Sequence, residues 1–300
     1  MVQRKGTMKA LIFGIDGQDG YYLTRLLQSM RFDVSGVSSL DTKWTKGSVA
    51  DYPFVKEIIK TQQPGYIFHF AANSTTKHEA LFENHDAIST GTINILESVR
   101  LHCPSTKVFL SGSAMQFKND GMPINEQTPF EASSPYSVAR IHSVYAGRYY
   151  RRAFGMKVYV GYFFNHDSPL RSDQHVDQKI IAAVKRIEKG SAEKLELGNI
   201  DIKKEFNYAG DVVKAVWQLV DQDKLFEAVI GSGKTYSIKD WLEYCFRQIG
   251  KNWKDHVATK PGYVPEYRIL VSDPRLIKSI GWKPVIDFYQ LADKMLKGER

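Results

Sequence analysis

Cysteine is nearly absent from this 300-residue chain, with only Cys103 and Cys245 present. Two thiols build neither a disulfide framework nor a cysteine-based metal cluster, so a reducing compartment is expected. No apolar run approaches the roughly 20 residues that a membrane-spanning helix needs. The opening stretch MVQRKGTMKALIF carries basic residues but runs straight into a strand pattern and lacks a small-residue cleavage site. It reads as the start of a cytoplasmic chain.

Long runs of like charge are missing too. The formal net charge is +8, yet Lys and Arg are scattered, with no run longer than Arg151-Arg152 or Lys203-Lys204. That scattering speaks against a nucleic-acid-binding stripe. It leaves a solvated surface, or a basic pocket for a small anionic substrate. The histidines, His69, His85, His142 and His166 among them, have no metal-ligand spacing, and no metal is expected. His69 lies within an apolar strand pattern and reads as a satisfied core residue. Repeats, low-complexity tracts and linkers are not found.

What is present is an ordinary globular composition, 43% hydrophobic and 25% charged. The length suits one large domain or two joined lobes. Short apolar runs at 8–13, 33–37, 66–72, 107–113 and 156–164 read as buried strands. Helical spacing appears at 21–30, in the Asp51-capped segment that ends before Pro64, and at 91–103. The alternation predicts an α/β fold, a doubly wound parallel sheet of Rossmann type. The pattern loosens after Asn165. We therefore expect a dinucleotide-binding domain over 1–165, rejoined by 206–235, and a smaller substrate-binding lobe from 166–205 and 236–300.

Two segments carry chemistry. Gly14, Gly17 and Gly20 give G-x-x-G-x-x-G between the first strand and the first helix. The first glycine permits the tight turn, the second lets backbone N–H groups approach a diphosphate, and the third lets helix and strand pack closely. Asp16, Gln18 and Asp19 sit in the same cradle. At the end of the second strand, Ser38 and Ser39 stand where an acidic residue would favour NAD, and Asp41 falls beyond the strand end. The choice between NAD and NADP stays open. The second segment is SSPYSVAR. Tyr136 and Arg140 are four apart at the start of a helix and share a face. A cation beside a phenol favours the phenolate, so such a Tyr can pass a proton to a sugar oxygen. Ser113 ends the fourth strand, where ligands of open α/β sheets gather. The interleaved basic and aromatic residues at 145–152 suit an RNA face or a partner subunit.

The stretches GIDGQDGYYL, IFHFAANS, SGSAMQF, SPYSVAR, FNHDSP, LGNIDIKKEFNYAGDVVKAVW and GWKP, in this order, resemble the extended short-chain dehydrogenase/reductases. The likeness is greatest to the group of GDP-mannose 4,6-dehydratase and GDP-4-keto-6-deoxymannose reductase, and it covers nearly the whole chain. It implies bound NADP or NAD, a GDP-linked nucleotide-sugar substrate, and a homodimer or tetramer. It also implies roles. Ser113, Tyr136 and Arg140 match the catalytic positions, with Arg140 standing where the family has Lys. Ala71 and Ala72 match cofactor contacts, and Asn165, Lys179, Asn199 and Lys204 match substrate contacts.

Four departures stand against that pattern. Arg140 replaces the Lys, and its planar fork does not overlay an ammonium. Met115 occupies the place of the Glu that removes the C5 proton in the dehydratases, flanked by Ala114 and Gln116. The family's KRD reads Lys203-Lys204-Glu205. Its phosphate-clamping Arg is missing from Gly262–Glu266, with Arg268 nearby. Loss of the base leads to the expectation of an oxidoreductase acting at sugar C4, most simply a 4-keto reductase. A dehydratase with an atypical base, and a cofactor-binding protein with little turnover, are the alternatives.

Overall fold

The computed structural model describes residues 7–299, so the basic stretch 1–6 lies outside the described residues. Six strands follow the first half of the chain: β1 (Lys9–Phe13), β2 (Asp33–Ser38), β3 (Thr45–Lys46), β4 (Tyr66–His69), β5 (Lys107–Ser113) and β6 (Val158–Phe163). A seventh strand, Glu227–Ile230, lies beside β6. The sheet order is seventh strand, β6, β5, β4, β1, β2, β3. Every pairing in it is parallel.

Successive β1 side chains fall on opposite faces, as strand geometry requires. Leu11 and Phe13 enter a core shared with Val55 and Ile59 of helix α2 (Tyr52–Gln62) and with Ile95 and Val99 of the Gly91–His102 helix. Ala10 and Ile12 enter the opposite core, with Leu23 and Leu27 of helix α1 (Gln18–Ser29) and with Val212 and Val216 of the Ala209–Asp221 helix. Both faces are therefore covered, which is why the strands read as continuous apolar runs. Asp51 caps α2 as expected, its Oδ1 accepting the Phe54 N–H at 3.2 Å.

From β1 the chain winds one way to β2 and β3. From β4 it winds the other way to β5 and β6. The crevice of this fold opens at that switch, beyond the strand C-termini. Over it sits a third core, built from the helices Val176–Glu188, Ile238–Gln248 and Phe288–Lys297. This part also carries a small sheet in which Lys203–Glu205 runs between Thr235–Ser237 and Ile269–Leu270. Glu205 joins the two parts. Fully buried, it accepts the backbone N–H groups of Ser232 and Ser272, each at 2.6 Å. Among the described residues no helix is long and apolar enough to cross a membrane.

Candidate active site

The glycine turn is held by its neighbours. Gly14 has φ +83°, and a Cβ there would lie 2.6 Å from the Ala71 nitrogen. Gly20 lies so close to β1 that a Cβ would come within 2.5 Å of the Gly14 and Ile15 carbonyls. Gly17 is exposed, a Cβ there would lie 3.3 Å from the Gly14 carbonyl oxygen, and among the described residues no side chain caps α1. The first N–H groups of α1 therefore remain available, with the positive end of the helix dipole, for an anionic diphosphate. The residues present fit a dinucleotide.

Around this turn, Asp16 is exposed and accepts the Thr42 hydroxyl at 3.0 Å. Ser38 is buried and accepts the Leu40 N–H at 3.0 Å, while Ser39 is exposed. Gln18 accepts the Ser168 hydroxyl at 2.7 Å. Asp19 meets His166 Nε2 at 2.9 Å. Burial alone would push this carboxyl up, but His166 and then Arg171 outweigh it and hold it below its ordinary value. Burial would likewise push the His166 imidazole down, and the Asp19 charge holds it above its ordinary value instead. Ala71 donates its N–H to the Phe13 carbonyl at 3.1 Å. Ala72 packs with Ile88, Tyr136, Ala139 and Met115.

A cavity of about 430 Å³ opens beside the turn. Ser113, Met115, Tyr136, Arg140 and Asn165 all line it, so the structure brings together residues far apart in the chain. The backbone past Ser113 turns at once. Ser113 Oγ accepts the Met115 N–H at 3.2 Å, and Gln116 Oε1 accepts the Ser113 N–H at 2.9 Å. Tyr136 is the second residue of the Pro135–Phe154 helix, which Ser134 caps and Pro135 opens. One turn on, the Arg140 guanidinium lies over the Tyr136 ring, 5.0 Å from its centroid. Arg140 is buried and forms its bonds with Ser111, to the carbonyl and to Oγ, the latter at 2.7 Å. The Ser111 hydroxyl in turn donates to the His69 carbonyl at 2.9 Å. His69 is buried as expected, but not satisfied, since neither ring nitrogen has a hydrogen-bond partner among the described residues. Burial and then the Arg140 charge push this imidazole down to about 3, so it is neutral.

Most of the facing wall escaped the sequence reading. Asp19, His166, Arg171, His175, Glu266 and Tyr267 all reach the same cavity. Only Asp19, read as part of the glycine cradle, and His166 of the FNH segment hinted at it. A second cavity of about 170 Å³ is lined by Gly198, Asn199, Lys204 and Tyr263, and it shares Glu266 and Tyr267 with the first. Asn199 Oδ1 accepts the Asp201 N–H at 2.8 Å. The Lys204 ammonium is buried on Asp177, 2.5 Å away. Burial would lower Lys204, but Asp177 and Asp167 hold it above its ordinary value. Lys179 lines neither cavity. It is exposed and donates to the Glu196 carbonyl at 3.0 Å. Arg268 is exposed and lines neither cavity.

The family profile described as GDP-mannose 4,6 dehydratase matches residues 11–295. The GDP-mannose 4,6 dehydratase 1 of Arabidopsis thaliana is 31% identical over 318 aligned positions, covering 96% of this chain and 88% of that protein. Among solved structures, the UDP-glucose 4-epimerase of Thermus thermophilus in complex with NAD superposes with a TM-score of 0.84 at 20% identity, covering 97% of this chain and 98% of that one. RMD from Pseudomonas aeruginosa, complexed with NADPH, superposes with a TM-score of 0.86 at 19% identity and the same coverage. A profile match over nearly the whole length, on a doubly wound sheet with a glycine turn at its switch point, means that the chain belongs to the GDP-mannose 4,6 dehydratase family of NAD(P)-dependent nucleotide-sugar-modifying enzymes.

Proposed function

We propose that the chain is an NAD(P)-dependent oxidoreductase that reduces the 4-keto group of a GDP-linked hexose. Met115 carries the reductive reading. It lines the cavity beside Ser113 and Tyr136, at the position where the resemblance puts the dehydratase Glu, and a thioether takes up no proton. The cavity carboxylates are engaged elsewhere, Asp19 on His166 and Glu266 under the Thr76 hydroxyl. Reduction asks for less than dehydration, since the ketone gains one hydride and one proton.

In this reading Gly14, Gly17, Gly20 and the start of α1 would hold the cofactor, NADP or NAD, near Ser38, Ser39, Ala71 and Ala72. Bound in its reduced form, it would supply the hydride that C4 receives and leave oxidised. Tyr136 donates its phenolic proton to O4. Ser113 Oγ already accepts from the Met115 N–H, so its own hydrogen is free to bond the same oxygen. The Arg140 guanidinium stabilises the phenolate left behind. Asn165, whose Oδ1 has no partner among the described residues, contacts the substrate beside O4. The second cavity, with Asn199 and Lys204 in its wall, suits the nucleobase. Lys179 would have to leave the Glu196 carbonyl to join them. The exposed row Val138, Tyr145, Tyr149 and Phe154 on the Tyr136 helix suits self-association as a homodimer or tetramer.

A 4,6-dehydratase is the second reading, favoured by the names of the curated relatives. It requires Glu266 or Asp19 to take the C5 proton. Two incubations separate the readings. With a GDP-4-keto-6-deoxyhexose and NAD(P)H, loss of nicotinamide absorbance supports the reductase. With GDP-mannose and NAD(P)+, formation of a 4-keto sugar overturns it in favour of the dehydratase. No turnover in either, with nucleotide retained on the protein, leaves a binding protein.

A further inference from the structure

Two residues in the wall of the main cavity opposite Tyr136 have no part in the scheme above. Arg171 and His175 stand there, one turn apart at the approach to the Val176–Glu188 helix. Arg171 Nη2 lies 3.2 Å from His175 Nδ1. A guanidinium nitrogen has hydrogens to give and no lone pair to receive one. Nδ1 is therefore the accepting nitrogen, and the ring hydrogen sits on Nε2. Protonating Nδ1 as well would set N–H against N–H beside a fixed positive charge. The surrounding charges act in the same direction. Burial, then Arg171, push the imidazole down to about 4, with Lys204 and His166 adding to them; only Asp167 opposes. Asp167 is itself engaged, its Oδ1 3.4 Å from Arg171 Nε. That contact holds Arg171 from behind. His175 Nε2 has no protein partner among the described residues, and the half-buried ring lines the cavity.

We propose that His175 is a neutral donor of fixed tautomer whose Nε2–H bonds an oxygen of the substrate in the main cavity, with Arg171 as the positioning residue that fixes the tautomer. The inference rests on the nucleotide-sugar reading. Ser113 and Tyr136 share this cavity with His175, whereas Asn199 and Tyr263 line the second. The acceptor is accordingly a sugar hydroxyl or an oxygen of the phosphate joined to the sugar. A neutral donor suits either, and it keeps its hydrogen across the working pH range.

Nitrogen-15 NMR of the full chain reads the tautomer directly, with His175 assigned by its absence from a His175→Phe variant. The expected result is a protonated Nε2 and a bare Nδ1 from about pH 5.5 to 8.5. Arg171→Met should release the lock, giving mixed tautomers and a titration closer to the ordinary 6.5. A protonated Nδ1 in the wild type, or wild-type titration near neutrality, overturns the lock. Calorimetry with GDP-mannose and with GDP then tests the contact. His175→Phe should weaken GDP-mannose about tenfold, as loss of one hydrogen bond implies, and His175→Gln should restore part of it. Loss confined to GDP-mannose assigns the sugar oxygen, and equal loss for GDP assigns the phosphate. Unchanged affinity for both, in a variant that melts like the wild type, overturns the contact. If the wild type binds neither ligand, the nucleotide-sugar reading fails and the contact falls with it, while the NMR result still decides the lock.

Discussion

Replacing Arg140 by Met tests the electrostatic core of the proposed reaction. The guanidinium carbon lies 5.0 Å from the centre of the Tyr136 ring, and its hydrogen bonds go to Ser111 rather than to a carboxylate. Its positive charge is thus left to act on the phenol. The charge develops on the phenol oxygen rather than at the ring centre; two unit charges about 5 to 8 Å apart, with an effective dielectric near 20, interact by about 2 to 3 kcal/mol. About half of that charge develops on the phenol oxygen in the transition state of a partial proton transfer. The expected loss in kcat is therefore between about 5-fold and about 15-fold. Arg140→Met also removes a buried charge, but it takes from the Ser111 carbonyl its charged donor, so folding stability should fall by only about 1 kcal/mol. Arg140→Lys keeps the charge and should retain most of the rate. The assay is steady-state turnover of the 4-keto sugar, with each variant checked by thermal denaturation. A well-folded Arg140→Met protein with wild-type kcat would refute the assigned role and leave Arg140 as a strut for β5.

Three more expectations have separate readouts. Tyr136→Phe should cut turnover by at least about 100-fold and leave nicotinamide binding intact, since only the hydroxyl goes; equal rates would remove Tyr136 as the proton donor. Glu205→Gln keeps an oxygen for one of the Ser232 and Ser272 N–H groups and sets amide hydrogens against the other, and urea denaturation should show a loss of about 1 to 3 kcal/mol; unchanged stability would mean that the junction is held by other contacts. The Asp19–His166 pair makes its stability contribution pH-dependent. Asp19 is lowered in the fold, so its share is present above the unfolded value of 3.8 and lost on acidification below it. His166 is raised, so its share is present below the unfolded value of 6.5 and lost as pH rises past that. The gap in melting temperature between wild type and Asp19→Asn should be widest between those two values, and a gap that does not vary with pH would show that the pair is uncharged.

Much of the sheet was legible because strands buried on both faces leave continuous apolar runs. The segment Lys107–Ser113 was read with the bounds it has, and the run at 66–72 shortened only at its C-terminal end, where Phe70 and Ala71 leave the ladder for the glycine turn. The two-residue strand β3 was missed, since so short a segment has no period to detect. The departures at Met115 and Arg140 were visible in advance only through the resemblance, whose motifs align SGSAMQF and SPYSVAR with the family's catalytic segments.

What the amino-acid order settled by itself is local: a glycine turn at the end of one strand, and a Tyr and an Arg one helical turn apart. Each follows from bond geometry and near-neighbour spacing. Folding alone decided that the guanidinium is bonded to Ser111, that Lys204 is buried on Asp177, and that Arg171 and His175 face Tyr136 across one cavity. Those contacts join residues up to tens of positions apart, and charge and hydrogen bonding act through space, which no pattern along the chain encodes.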